Sequence, residues 1–276
     1  MSITQTANPP LPQASPALKL NAPGRKLLAR WKTFAGPLLL LLAWKIAADA
    51  HIAPDSLLVP PEKVVESAID LVKSDILVDN LLVSLSRVAK GFLVGSSLGL
   101  LIGILIGVSK GADEFLSPLL RTVRQVPLLG WMPLIILWFG IGELSKVVFI
   151  AIGAFFPTML NTASGIRGVS KEYLEVGKVY QLSKPRLLFL IIIPSALPSI
   201  VTGVRLSMSL SWMMVVGAEM ISANSGIGQM MTAARDMFRT DIVMVGIIVI
   251  GIVGFLIDML IKKIEAAIIR WQMTVK

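Results

Sequence analysis

Apolar runs separated by short charged stretches set the pattern of this chain. They cover Phe34–Ala50, Leu82–Val108, a third run that starts within Lys110–Arg124 and ends at Gly142, then Val147–Thr162, Leu187–Ile221 and Val243–Ile261. A helix needs about 20 apolar residues to cross the hydrocarbon of a bilayer. The pattern therefore predicts an all-α, polytopic membrane protein with about six transmembrane helices. Pro127, Gly130 and Pro133 are expected to break the third span, Pro157 to interrupt the fourth, and Pro194 and Pro198 to kink the fifth. Backbone groups freed at membrane depth are tolerated only where they face protein or water, which makes the third span, with Trp131, a candidate lining of a pathway; simple packing accounts for it equally well.

The second span places Gly91, Gly95, Gly99, Gly103 and Gly107 at every fourth position. A row of missing side chains lets a neighbouring helix approach closely where lipid gives apolar surfaces no reason to associate. Packing is the expected role.

The polar connections differ in sign. Asp55, Glu62, Glu66, Asp70, Asp75 and Asp79 outnumber Lys63 and Lys73 in 51–80, and Pro60-Pro61-Glu62 can open an amphipathic helix that lays Val64, Val65, Ala68, Ile69 and Val72 along the membrane. Most of the 26 lysines and arginines fall instead in the N-terminal arm and in 110–124, 167–186 and 262–276. By the positive-inside rule these segments and both termini face the cytoplasm, while 51–80, 142–146 and 224–241 lie outside. Residues 1–33 read as a disordered basic arm, 34–83 as the first transmembrane helix with its external amphipathic segment, 84–265 as the membrane core containing a charged loop at 169–186, and 266–276 as a cytoplasmic tail.

Of 276 residues, 55% are hydrophobic and only 16% charged, with a mean hydropathy of +0.78, which excludes an ordinary soluble enzyme. The net charge of +9 could suggest nucleic acid, but its grouping between spans points to membrane topology and to no nucleic-acid partner. Cysteine is absent, and the lone His51 stands near Asp49 and Asp55 as a solvated surface residue, so neither a metal site nor a catalytic constellation is expected. Gly177-Lys178 lacks the earlier glycine and following hydroxyl of a phosphate loop. Ser225-Gly226-Ile227-Gly228-Gln229 superficially resembles an ATPase signature loop, but on the external side.

Within the fifth span Arg205 and Glu219 lie fourteen positions apart, about 40° short of four helical turns, with Trp212 midway between them on the same face. Arg205 is a candidate for drawing an anion along a pathway, the alternative being a structural pair with a carboxylate. Trp212 and Glu219 join Arg205 as candidate pathway residues, the alternative for Glu219, near the outer border, being simple solvation.

The longest polar insertion, Val169–Pro198, reads as two short helices joined near Gln181-Leu182. Ser170 and Ser183 stand at helix starts, Glu172 in a first turn and Pro185 just inside the second helix. Glu175, Gly177, Ser183, Ile191, Pro194 and Pro198 at their spacings resemble the cytoplasmic coupling loop of ABC importer permeases, whose pattern is Glu-Ala-Ala, three residues, Gly, nine residues, Ile, any residue, Leu-Pro. The two alanines are here Val176 and Gly177, the leucine is Ile193, and Gln181 replaces the glycine that would allow a positive φ between the helices. RQVPLLGWMPLIILWFGIGE, FFPTMLNTASGIRGV, NSGIGQMM and IIRWQ look most like the aliphatic sulfonate, taurine and nitrate branch, and the likeness spans about Ser84–Trp271.

The resemblance implies a type I ABC importer permease subunit in a bacterial inner membrane, paired with a second copy of itself, two cytoplasmic ATPases that bind ATP and Mg, and an external substrate-binding protein. It implies no cofactor on this chain, and coupling contacts at Tyr173, Leu174, Glu175, Val176, Gly177, Tyr180, Gln181 and Ser183. The expected cargo is a small anion, aliphatic sulfonate or taurine first and nitrate or bicarbonate as the alternative. Outside the class, an ion-coupled secondary transporter is the competing reading, which few intramembrane acids favour.

Overall fold

The computed structural model describes residues 22–54 and 57–269. Residues 1–21 of the expected arm and 270–276 of the expected tail lie outside them. The chain divides into two units, 1–53 and 54–276. Within the first, α1 (Ala22–Asp49) covers the first expected span and reaches into the stretch read as an arm; Lys45 and Asp49 pair along its surface at 3.0 Å.

The second unit is helical throughout its described residues. It comprises α2 (Pro61–Lys73), α3 (Ile76–Val108), α4 (Lys110–Gln125), a 3-10 turn at Leu128–Trp131, α5 (Met132–Phe139), α6 (Glu143–Arg167), α7 (Lys171–Val179), α8 (Lys184–Leu187), a π-helical turn at Leu188–Ile192, α9 (Ile193–Ser222), α10 (Ile227–Asp236) and α11 (Thr240–Ile268). Four stretches are long and apolar enough to cross a membrane: α3, α6, α8 through α9, and α11. The pair formed by α4 and the Leu128–Phe139 segment, bent by 92°, is a fifth if it is one broken span. α1 is not among these, so the described helices give four or five crossings rather than the six expected.

The glycine row works as its spacing suggests. A Cβ on Gly91, Gly103 or Gly107 would overlap Ile150, Thr162 or Ile166, and on Gly95 or Gly99 it would meet the carbonyls of Ala151 or Phe155. α3 and α6 thus lie backbone to backbone, and α9 packs into the groove between them, touching both. Gly203 of α9 approaches Pro157 O and Asn161 closely, and Gly165 of α6 approaches Ser199. Hydroxyls join the three helices where they are buried: the Thr158 and Ser207 hydroxyl oxygens lie 2.6 Å apart, Thr158 donates to Ser96 Oγ at 3.4 Å, and Ser207 donates to Ala154 O at 2.6 Å.

Several connections depart from the sequence reading. Lys110–Arg124, expected as a turn leading into the third span, is a 16-residue amphipathic helix capped by Ser109 Oγ, which accepts from Ala112 N. Its apolar Leu116 and Leu120 pack on Ile106, Met159 and Ala163, and Asp113 accepts from Arg167 at 2.8 Å. The break expected from Pro127, Gly130 and Pro133 is present as the bend. Pro157 does not interrupt α6, which continues through it to Arg167. Pro194 is preceded by the π turn, which loosens the helix where proline would otherwise strike the preceding carbonyls. α2 does form, but it buries Val64, Ser67 and Leu71 while Val65, Ile69 and Val72 stay exposed. Ser67 Oγ donates to Asp241 at 2.6 Å, fastening α2 to α11. The expected outer loop 224–241 contains α10.

Gly95→Val places a side chain against the Ala151 backbone, which has no rotamer to yield. It is expected to cost about 1–3 kcal/mol or more, read as a lower thermal midpoint in detergent, whereas Gly111→Val, with open space around it, is expected to shift the midpoint far less.

Candidate coupling hairpin and the buried charge cluster

α7 and α8 extend from the end of α6 as a hairpin, about 36 Å along α6 from Glu143. Ser170 and Ser183 occupy the two N-cap positions with extended backbone, although neither side chain caps the helix it precedes. Beside Glu172 the Ser170 hydroxyl, and then the backbone amide of Glu172, hold this carboxyl below its usual range.

The turn between the helices answers the question raised by Gln181. Leu182 N donates to Gly177 O at 3.0 Å and Gln181 N to Lys178 O at 2.9 Å, the pair of bonds that closes a helix through a left-handed residue. Gln181 is that residue, with φ +50°. The missing glycine therefore leaves the turn unchanged and adds the cost of a side chain in the left-handed region. Gly177 is buried one turn earlier, where a Cβ would run into the Leu187 side chain; it sets the closeness of α7 to the following helix.

What remains of α7 faces outward. Tyr173, Val176 and Tyr180 recur at three- and four-residue spacing, so they share one face, and Tyr180 is 75% exposed. Val179 and Glu175 are exposed beside them, Gln181 and Ser183 are exposed at the turn, and Leu174 is half-buried against the hairpin. Two tyrosines and two valines open to solvent on an otherwise charged insertion form a surface that an interface core would bury.

The candidate pathway residues separate. Trp131 lines a cavity of about 470 Å³ at the α4–α5 break, together with Arg124, Gly153, Phe156, Asn161 and Met214. Arg205 points elsewhere: it donates to Asp258 at 2.9 Å and to Glu265 at 3.2 Å on α11, and Trp212 Nε1 donates to Ile250 O at 3.0 Å on the same helix. Arg205 and Trp212 share the expected face of α9 and α11 packs on it, whereas Glu219 turns to Arg87 and Ser84 of α3.

Glu219, rather than being solvated, is buried to 1% exposure at the far end of the bundle from the hairpin. Arg87, likewise buried, reaches it from α3 at 2.8 Å and forks to Glu143 at the start of α6 at 2.5 and 2.7 Å. Arg87 also donates to the Ser225 carbonyl at 2.7 Å and to its hydroxyl at 3.0 Å. Ser84 Oγ stands 2.8 Å from Glu219 and accepts from Ile227 N at 3.0 Å, while Gly228 N donates to Glu219 at 3.0 Å and Gly226 N to Asn80 at 2.6 Å. The stretch resembling a signature loop thus closes over a buried carboxylate, one of its amides donating to Glu219 and two to the α3 side chains Asn80 and Ser84. Gly226 needs its φ of +107°, and a Cβ there would overlap the Glu219 carboxylate. The signal for Arg87 is its position inside an apolar span; its partners, 56 to 138 residues on, have no local signature.

Two stability effects follow. Gln181→Gly is expected to stabilise the purified protein by about 1 kcal/mol and Gln181→Val to destabilise it by more than that, as read by thermal unfolding. Arg87→Met strands Glu219 in the interior and is expected to cost about 3–5 kcal/mol. Adding Glu219→Gln is expected to recover part of that loss, so that a double-mutant cycle gives a nonzero coupling.

Residues 95–270 match the family described as binding-protein-dependent transport system inner membrane component. The chain is 37% identical over 262 residues to the protein assigned as the aliphatic sulfonates transport permease SsuC of Bacillus subtilis (strain 168), covering 95% of each. It is 30% identical to the taurine transport system permease protein TauC of Escherichia coli (strain K12), covering 84% of this chain and 86% of that one. The fold is similar to a chain of the MetNI methionine ABC transporter solved in inward-facing conformations, with a TM-score of 0.61 at 17% identity over 70% of this chain and 96% of that chain. The chain belongs to the binding-protein-dependent transport system inner membrane component family, as a multi-pass ABC transporter permease.

Proposed function

We propose that this chain is the permease subunit of an ATP-driven importer for a small organic anion of the aliphatic sulfonate or taurine kind, the cargoes named for its SsuC and TauC relatives. Two copies form the membrane path, two separate ATPases bind ATP and Mg on the cytoplasmic side, and a binding protein delivers cargo from outside. Both termini and the α7–α8 hairpin face the cytoplasm, in keeping with the basic residues at 110–124, 167–186 and 262–276.

The observation that carries this reading is the exposed tyrosine and valine face of α7, held on a closed turn at the end of α6. A helical surface of this chemistry fits a groove on a partner. ATP binding draws the two ATPases together, α7 and α8 move with them, and the rigid continuation into the π turn and α9 carries that displacement into the span. Hydrolysis releases it. In this mechanism Glu175, Tyr173 and Tyr180 transmit force and take no part in bond making.

With the complete transporter reconstituted in vesicles, Tyr180→Ala is expected to weaken ATPase association by about 2 kcal/mol, roughly thirtyfold. Glu175→Lys with Tyr180→Ala is expected to abolish ATP-dependent sulfonate uptake while the chain still inserts. Uptake and ATPase retention equal to the unsubstituted complex would exclude the hairpin as the coupling element.

A further inference from the structure

The cavity beside the broken third span lies between Leu128, Trp131 and Arg124 on one side and α6 and α9 on the other. Its depth follows from its walls. Gly153 stands about 15 Å along α6 from Glu143, and Leu210 and Met214 come from the middle of α9. The cavity therefore sits within the bundle's apolar zone. Leu210 and Met214 project about 140° and 180° around α9 from Arg205, which separates this cavity from the face that α11 covers.

Its charge composition is uneven. Arg124 is the one charged residue among those lining it, Asn161 contributes an amide, and Trp131, Phe156, Leu160 and Leu210 are apolar. Arg87 and Arg205, within α3 and α9, both satisfy their guanidinium groups on carboxylates. Arg124 is exposed and, among the described residues, has neither an ion pair nor a hydrogen bond. It also borders a smaller groove lined by Arg121, so positive charge continues from the cavity along α4, while Arg167 across that groove is paired with Asp113.

We propose that this cavity is a cargo seat on the transport route, in which Arg124 holds the acidic head group of an alkyl anion and Trp131, Phe156 and Leu210 receive its hydrocarbon tail. The proposal rests on the importer reading and narrows its substrate class. A guanidinium matches a sulfonate or similar oxyanion through paired N–H donors. No aspartate or glutamate lines the cavity, so a zwitterion such as taurine would bring an ammonium group to apolar walls without a counter-charge. An inorganic anion would leave those walls unused. The composition favours an alkanesulfonate over both.

The test uses the permease–ATPase complex in nanodiscs without the binding protein, so that the delivery step cannot mask the seat. Equilibrium binding of radiolabelled butanesulfonate is expected to be saturable, at least tenfold weaker in Arg124→Gln and only partly restored in Arg124→Lys, which returns the charge without the paired donors, with taurine roughly tenfold weaker than butanesulfonate in the unsubstituted complex. Leu210→Trp, which fills the apolar side and leaves the charge alone, is expected to weaken butanesulfonate more than ethanesulfonate; it serves if Arg124→Gln fails to assemble. Absence of saturable binding, equal affinity in Arg124→Gln and the unsubstituted complex, or taurine bound as tightly as butanesulfonate overturns the proposal. Failure of the unsubstituted transporter to take up sulfonate with ATP and binding protein present would instead contradict the importer reading on which it rests.

Discussion

Inside a bilayer a charged group must find its partner within the protein, because lipid offers none and an unmatched ion there is costly. Arg87 meets this constraint by gathering three other parts of the chain: the first residue of α6, the end of α9 and the Ser225–Gly228 loop ahead of α10. Once that guanidinium is buried, the ends of three long helices are fixed relative to one another. The glycine row of α3 continues the attachment along the helix, letting α6 approach to backbone contact where a larger side chain would hold it away. Polar matching at one end and close packing along the length are thus complementary. Together they make a stiff unit of α3, α6 and α9.

Stiffness gives the hairpin its mechanical meaning. α7 and α8 interrupt the chain between two members of that unit, leaving α6 at Arg167 and returning through the π turn into α9. Force applied to the exposed face of α7 therefore reaches two packed spans at once. Gly177 keeps the hairpin tight and the left-handed Gln181 closes it without glycine. The broken span stands on the other side of α6, where irregular backbone borders a cavity with one unpaired arginine. On the proposed reading the arrangement separates three tasks: charge pairing at one end, drive at the other, and a seat for cargo between them.

Features governed by short-range rules were legible in the sequence. The spacing of Gly91 to Gly107, the start signals at Ser170 and Ser183 and the proline-marked break of the third span all appear in the structure, because each depends on neighbours within a turn or two. Position alone gave less. Arg205 and Trp212 do share a face, but only tertiary contacts reveal that α11 covers it. Glu219 looked like a border residue because Arg87, its partner across 132 positions, leaves no trace near it. The contacts of Gly226 and Gly228 with Asn80 and Glu219 are hidden behind a superficial likeness to another motif. The helix at Lys110–Gln125 reads as a turn in sequence because its polar face masks the stripe formed by Leu116 and Leu120. Pro157 misled in the other direction, since packing on both sides of α6 preserves the helix through it.

The absence of cysteine from the sequence permits a direct test of the central claim, that the outward face of α7 is where the drive enters. A single Tyr180→Cys substitution, and separately Ile141→Cys on the exposed segment at the opposite end of α6, can be carried in the assembled transporter with a bifunctional cross-linker of short span. The account predicts a nucleotide-dependent cross-link from position 180 to the ATPase subunit and none from position 141. A complex that retains transport but cross-links to the ATPase from position 141, or not at all from position 180, would contradict it.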